Sequence, residues 1–364
     1  MRDEIPGFER RSFLKTGLLA AAGAAVLNGQ TALAEAPADK KIADTGAMPM
    51  RKFGKTGHTL PILGMGGSAM VQMFIRAYGV PLLSMDDRVA MFRHAYDKGV
   101  RYFDTARVYG ESESIMGKGL KGVRDNVYLA TKMHFTDPAK VRQSVETSLK
   151  QLDMDYVDCV QVHSPAIEAV GFEGAMKLHA ELVKLRDEKM LRFIGCTTHV
   201  AFETVYQMIS TGGFEQVLLA YGYFRKGMDT ILSHRNLEFR DMCLAKAHEQ
   251  SLGIVAMKVM GASILGHNAK NLVADTEADQ LAKLPPAAIR WVLQDDRVSM
   301  LNIGASMPSD FDQNIATLKG DLKFTNEDRM LLAKFSAKAY EVDAIKQMKV
   351  TQEGGRQIRM YYDS

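Results

Sequence analysis

Residues 127–163 read VYLATKMHFTDPAKVRQSVETSLKQLDMDYVDCVQVH. Val127 to Thr131 and Tyr156 to His163 are short apolar runs of strand type. Between them, Pro138 to Leu149 places Val141, Val145 and Leu149 four residues apart, the stripe that turns one face of a helix toward a core. Asp137-Pro138 opens that stretch with an N-cap residue and a first-turn proline. Two apolar strands joined by an amphipathic helix form a parallel unit, and such units stack into sheets covered by helices.

Outward from this stretch the same alternation continues in both directions. Leu60 to Leu63 and Arg101 to Asp104 are strand candidates upstream. Arg192 to Thr197, Gln216 to Ala220, Gly253 to Lys258 and Val298 to Ile303 are candidates downstream, which brings the count to eight. A helix is expected over Asp86 to Asp97, with Val89, Met91, Phe92, Ala95 and Tyr96 on its core face. Ahead of the first strand, Met50-Arg51-Lys52-Phe53 and Thr59-Leu60-Pro61-Ile62 flank Gly54-Lys55-Thr56-Gly57, a hairpin signal. A closed (β/α)8 TIM barrel and an open doubly wound sheet both fit this periodicity. The open sheet's dinucleotide fingerprint is incomplete, because Gly64-Met65-Gly66-Gly67 is followed by Ala69 where the third glycine belongs. The expectation is one α/β domain over residues 50–336, a (β/α)8 TIM barrel with an N-terminal hairpin and a C-terminal helical tail over 337–364.

The 46 basic and 43 acidic side chains are interspersed, with neither a basic arm nor an acidic tail, which argues against nucleic acid or an acidic partner. Cys159, Cys196 and Cys243 lie far apart and form no C-x-x-C, so buried thiols are expected rather than a disulfide framework or a metal site.

Residues 1–34 resemble a twin-arginine signal peptide. Arg10-Arg11-Ser12-Phe13-Leu14-Lys15 precedes an apolar run from about Leu18 to Leu27, and Ala32-Leu33-Ala34 supplies a cleavage site before Glu35. The apolar run falls short of the roughly twenty residues a bilayer crossing needs. The resemblance implies the twin-arginine translocation machinery as a partner, a periplasmic location, and export of a chain already folded around its cofactor. Residues 35–49 are small and polar and read as a linker.

In a barrel of this kind chemistry gathers where strands end. The second strand ends in Phe103-Asp104-Thr105-Ala106-Arg107-Val108-Tyr109-Gly110, the third in Ala130-Thr131-Lys132, the fourth in Gln161-Val162-His163-Ser164-Pro165. A tyrosine serves as proton donor to a carbonyl where a cation stabilises the phenolate left behind; a carboxylate holds a lysine in that role, and a histidine orients the oxygen.

The segments F-D-T-A-x-x-Y-G, A-T-K and H-x-P, in that order on consecutive strands, resemble those of the aldo-keto reductases. The resemblance runs from Met50 to about Asn314, including Gly195-Cys196-Thr197-Thr198-His199. It implies hydride transfer between a nicotinamide cofactor and an aldehyde, ketone or sugar carbonyl, or the corresponding alcohol. Tyr109 is then the general acid and base, Lys132 supports it, Asp104 holds Lys132, and His163 positions the carbonyl. No metal is implied. A nucleotide-binding sensor or partner protein on the same barrel is the alternative, and a lyase or isomerase without nicotinamide leaves the four residues unexplained.

For the cofactor, the resemblance points to Gly66 after the first strand, Thr197 and Thr198 in place of the usual Ser-Asn pair, and Gln216 on the sixth strand, although Leu218 stands at the family's spacing. It adds Met257 and Lys258 on the seventh strand, then Gly304, Ser306 and Asn314 after the eighth. Family habit favours NADP, with NAD as the alternative. The two positions that commonly carry cations for the adenosine phosphate are Gly304 and Asp310, so weak discrimination is expected. Ser68 replaces a common tryptophan, and Met73, Phe74, Tyr78, Tyr223 and Phe224 are candidates for walls of the substrate pocket.

Overall fold

Met50–Lys52 (β1) and Thr59–Pro61 (β2) pair antiparallel with Arg51 opposite Leu60, forming the expected hairpin. Its turn presses on the barrel. Gly54 has φ 56°, and a Cβ there would lie 2.3 Å from the Gly253 nitrogen, so only glycine lets the turn approach this closely. This computed structural model describes residues 42–71, 83–227, 230–231, 233–346, 350–353 and 356–359. The expectations for the leader and for Met73, Phe74 and Tyr78 lie outside the described residues.

Eight parallel strands close into a barrel: Leu63–Gly66 (β3), Tyr102–Asp104 (β4), Tyr128–Met133 (β5), Val157–Val162 (β6), Leu191–Thr198 (β7), Gln216–Ala220 (β8), then Gly253–Met257 (β11) and Met300–Ile303 (β12). A short ribbon, Lys226–Gly227 (β9) with Thr230–Ile231 (β10), intervenes after β8. The protein is therefore a (β/α)8 TIM barrel. One strand differs from its expected place. Leu60 belongs to the hairpin, and the first barrel strand starts at Leu63 and includes the Gly64-Met65-Gly66 stretch whose glycines resemble a loop. Packing explains those glycines, since a Cβ on Gly64 would lie 2.5 Å from the Tyr102 ring.

Helices cover the barrel: Met85–Asp97 (α1), Ser112–Gly119 (α2), Val141–Leu152 (α3), Ser164–Asp187 (α4), Phe202–Ser210 (α5), His234–Glu249 (α6), Ala269–Leu272 (α7), Ala278–Leu293 (α8), Pro308–Lys319 (α9), Asn326–Glu341 (α10) and Asp343–Lys346 (α11). Ser84 caps α1 by accepting from the Asp87 amide at 3.1 Å. Met91, Phe92 and Ala95 are buried as expected, whereas Val89 and Tyr96 are only half-buried. Asp137 accepts from Ala139 N at 2.9 Å, but Pro138–Lys140 is a 3-10 turn and α3 proper begins at Val141.

The chain termini depart from expectation in two ways. Ile42 and Met48, inside the stretch read as linker, are buried in the main core. The tail is not wholly helical, because α10 continues through residue 337 to Glu341, burying Ala339 and setting Tyr340 5.0 Å from Phe224, and after α11 a ribbon pairs Val350–Glu353 (β13) with Arg356–Arg359 (β14). Cys159, Cys196 and Cys243 are buried free thiols. Among the described residues no helix is long and apolar enough to cross a membrane.

An aromatic plug fills the barrel floor. Phe53, from the hairpin, meets Tyr102 and Tyr128 edge-on at centroid distances of 5.7 and 5.1 Å, and Tyr128 stacks on Phe193 at 6.0 Å. Phe53 is fully buried. Phe53→Ala is expected to destabilise the protein by about 3–5 kcal/mol, read as a lowered denaturant midpoint at unchanged slope. A loss below about 1 kcal/mol would show that the plug collapses onto the gap.

Candidate active site

At the opposite end of the barrel, strand ends bring Asp104, Tyr109 and Lys132 together in one cleft. The β4–β5 ladder continues past Asp104, with Thr105 N donating to Ala130 O at 2.9 Å and Arg107 N to Lys132 O at 3.1 Å. A turn then closes from Tyr109 N to Ala106 O, and Ser112 N bonds Tyr109 O as α2 begins. Beneath this loop, buried Glu113 pairs with Arg107 and accepts from Thr131 Oγ1 at 2.7 Å. Ser112 Oγ meets Thr105 Oγ1 at 2.9 Å and donates to Gly67 O at 3.1 Å. The loop carrying Tyr109 is thus fastened to β5 and to Gly67 just past the end of β3.

Lys132 and Asp104 form a buried ion pair, each 2% exposed. Lys132 Nζ also donates to Thr105 O at 2.7 Å. An ammonium has three protons, so one is left for the cleft side. Nζ lies 5.1 Å from the Tyr109 ring centroid. The Asp104 carboxylate is satisfied on both oxygens, by Gln161 Nε2 at 2.7 Å on Oδ2 and by Asn302 Nδ2 at 3.3 Å on Oδ1 besides Lys132. A buried charge pair persists only with such completion of its hydrogen bonds. His163 follows β6 and sets its ring at right angles to Tyr109, centroids 5.8 Å apart and planes at 81°. The four residues therefore converge, although His163 backs Tyr109 and is not itself among the cleft lining.

The cleft encloses about 1050 Å³ including its open mouth and runs along the barrel end. Gly66, Met257, Lys258, Gly304, Ser306 and Asn314, named from the sequence as cofactor contacts, line it. Lys258 has φ 61°, turning the chain off β11 and along the cleft edge. Three expected contacts lie elsewhere. Gln216 sits at the start of β8, at the floor, where its Nε2 donates to Tyr102 Oη at 2.9 Å, and Leu218 takes the cleft position. Thr197 Oγ1 accepts from Ser164 N at 3.1 Å, and Thr198 Oγ1 accepts from Val200 N at 3.1 Å and Ala201 N at 2.7 Å, so both hydroxyls serve backbone amides while His199 lines the cleft. Tyr223 and Phe224 are not pocket walls either. They pack with Trp291, Phe335 and Tyr340 in a second apolar cluster.

Gln161, Asn302, Glu113 and His267 escape a reading by motif. Gln161 carried a signal, since it lies two residues before His163 on the same strand face, and Asn302 is a polar residue in the otherwise apolar β12. Asn302 Oδ1 is buried in the cleft lining without a hydrogen-bond partner. Such an acceptor fits a bound donor group.

The sequence profile of the aldo/keto reductase family matches residues 77–335. The chain belongs to the aldo/keto reductase family, and it is an oxidoreductase acting on carbonyl compounds with a nicotinamide cofactor. L-galactose dehydrogenase of Arabidopsis thaliana is 25% identical over 319 residues, covering 79% of this chain and 93% of that protein. Among solved structures, the holo form of an aldo-keto reductase from Bacillus halodurans matches with a TM-score of 0.60 at 19% identity, over 85% of this chain and 99% of its own. An aldo-keto reductase of Klebsiella pneumoniae in complex with NADPH matches with a TM-score of 0.58 at 19% identity, over 79% and 94%. These two share the fold.

Proposed function

We propose that this protein reduces an aldehyde, ketone or sugar carbonyl, or oxidises the alcohol, with Tyr109 as the general acid and base. The observation that carries this reading is the buried Asp104–Lys132 pair set beneath the Tyr109 ring, with the His163 ring against its side. The nicotinamide cofactor, when bound, supplies or accepts the hydride at the substrate carbon. The Tyr109 phenol gives its proton to the carbonyl oxygen, and the bond to that proton forms as negative charge develops there. The Lys132 ammonium stabilises the phenolate left on Tyr109, and Asp104, held in turn by Gln161 and Asn302, keeps the ammonium in place. His163, whose ring stands against Tyr109, holds the phenol toward the carbonyl oxygen. In the oxidative direction the same phenolate takes the alcohol proton.

Gly66, Met257, Lys258, Gly304, Ser306 and Asn314 hold the cofactor in this reading, and the orphaned Asn302 Oδ1 is an acceptor for it. NADP(H) is the favoured cofactor, NAD(H) the alternative. The substrate enters beside Tyr109. Titrating the purified protein with NADPH and with NADH, followed by cofactor fluorescence, and then assaying a panel of aldehydes, ketones and aldoses tests the reading. Binding with turnover on the panel is expected, and failure to bind either nucleotide would overturn it.

The chain is exported by the twin-arginine route to the periplasm in this reading, which rests on the Arg10-Arg11-Ser12-Phe13-Leu14-Lys15 segment and on Ala32-Leu33-Ala34. Replacing Arg10 and Arg11 together by lysine is expected to leave unprocessed protein in the cytoplasm, and the mature wild-type chain is expected to begin at Glu35. Processed periplasmic protein from the double lysine variant would defeat this.

A further inference from the structure

Tyr109 sits on a stretch that apolar packing does little to hold. Val108 is 41% exposed, Gly110 is exposed, and Arg107, Tyr109 and Glu111 are only half-buried. A segment with few buried apolar contacts opens readily unless polar bonds fasten it. One carboxylate does so here. Glu113, in the first turn of α2, is fully buried and divides its two oxygens between two segments. Oε2 pairs with Arg107 Nη1, two residues before Tyr109. Oε1 accepts from Thr131 Oγ1 at 2.7 Å, and Thr131 precedes Lys132 on β5. Successive side chains on a strand face opposite ways, so Thr131 turns out toward α2 while Lys132 turns into the cleft. Glu113 therefore joins, from behind, the two segments that carry the phenol and the ammonium. A second ion pair holds the other side of Tyr109, where Arg88 of α1 meets Glu111 and donates to Met70 O at 3.0 Å. That pair reaches the turn after β3, not β5.

We propose that Glu113 is a positioning residue for the proton transfer, holding the Tyr109 phenol at its working distance from the Lys132 ammonium. This rests on the proposed reductase reading, in which Tyr109 gives and takes the proton. The backbone bonds from Thr105 N to Ala130 O and from Arg107 N to Lys132 O set the register of the two segments, but both end before the exposed part of the loop. The Arg107 side chain carries the hold further, because its guanidinium is anchored on the helix that begins three residues after Tyr109. Misplacing a reacting group by about 1 Å costs up to about a hundredfold in rate. Charge works in the other direction. The Glu113 carboxylate disfavours a phenolate nearby, and removing it leaves the Arg107 cation without that partner, which favours one. A rate lost with Glu113 is therefore a loss of geometry.

Single-turnover rates, with substrate KM and cofactor dissociation constants measured alongside, test this. Glu113→Ala frees both segments and is expected to lower the rate by about ten- to a hundredfold while leaving KM and cofactor affinity nearly unchanged. Glu113→Gln keeps both bonds by turning its amide, the oxygen accepting from Arg107 and the nitrogen donating to Thr131 Oγ1, and is expected to keep most of the rate. Thr131→Val cuts only the link to β5 and is expected to lose rate by a smaller factor than the alanine variant; it carries the test if Glu113→Ala does not fold. In the Tyr109→Phe background neither Glu113→Ala nor Thr131→Val is expected to lower the residual rate further, because the group they misplace is gone. The full loss repeated in that background, or a glutamine variant as slow as the alanine one, would overturn the inference and leave the reductase reading standing. Thr131→Val at the wild-type rate would overturn it as well. Tyr109→Phe at the wild-type rate would remove the reductase reading of Tyr109 itself.

Discussion

Tyr109→Phe is expected to lower kcat by about a hundred- to ten-thousandfold, the usual worth of a positioned general acid, and to leave the dissociation constant of the cofactor nearly unchanged. The substitution removes one hydroxyl and little else. The phenyl ring keeps its right-angle contact with His163 and its place above Lys132. The loop beneath is held by backbone bonds from Thr105 and Arg107 to β5 and by the Arg107–Glu113 pair, none of which involves the phenol. Folding and the shape of the cleft should therefore survive, and the loss should fall on the proton-transfer step. Single-turnover rates are the cleanest measurement, because they separate chemistry from product release. A variant that kept more than about a tenth of the wild-type rate, with chemistry limiting, would show that another group delivers the proton.

The barrel was legible because alternation of apolar strands and striped helices is a long-range pattern that local irregularities do not erase. The register of individual strands was less so. Leu60 to Leu63 reads as a strand, yet it straddles the end of the hairpin and the start of β3, and the glycines that look like a loop are a strand made narrow for Tyr102. The catalytic candidates were legible for a different reason. Asp104, Lys132 and His163 stand at or just beyond the ends of successive strands, so position along the strand and position in the barrel coincide.

That coincidence fails for the cofactor contacts. Period two tells which face a strand residue occupies but not its height, and Gln216 and Leu218 share a face while standing about 6.6 Å apart along it. The lower of the two belongs to the aromatic floor and the upper to the cleft. Thr197 and Thr198 fail by competition for their hydroxyls: Thr198 accepts from the Val200 and Ala201 amides just ahead of it, a local bond such side chains readily form, and Thr197 accepts from Ser164 N at the end of the neighbouring strand. Asp310, in the first turn of α9, and His267, in the loop after β11, are 43 residues apart in sequence, and only the fold brings them into contact. The donors that complete the Asp104 carboxylate are hidden in the same way, since Gln161 and Asn302 come from strands on opposite sides of it.

Lys132→Met is expected to damage both turnover and stability, and the two losses have separate origins. Turnover should fall by a factor comparable to that of Tyr109→Phe, about a hundredfold or more, because the phenolate formed on Tyr109 loses its cation. Stability should fall by about 3–5 kcal/mol, because Asp104 is left buried at 2% exposure with only the neutral donors of Gln161 and Asn302. Adding Asp104→Asn to the methionine variant removes the stranded charge. The double variant should therefore recover at least about 1 kcal/mol over Lys132→Met, since exchanging a buried pair for neutral groups is often near balance. It should recover no turnover, because the cation beside Tyr109 is still missing. Denaturant midpoints and single-turnover rates on the two variants read these effects independently. Full turnover in Lys132→Met would show that the ammonium is structural only, and a double variant no more stable than the single one would show that Gln161 and Asn302 suffice to hold Asp104 as an anion.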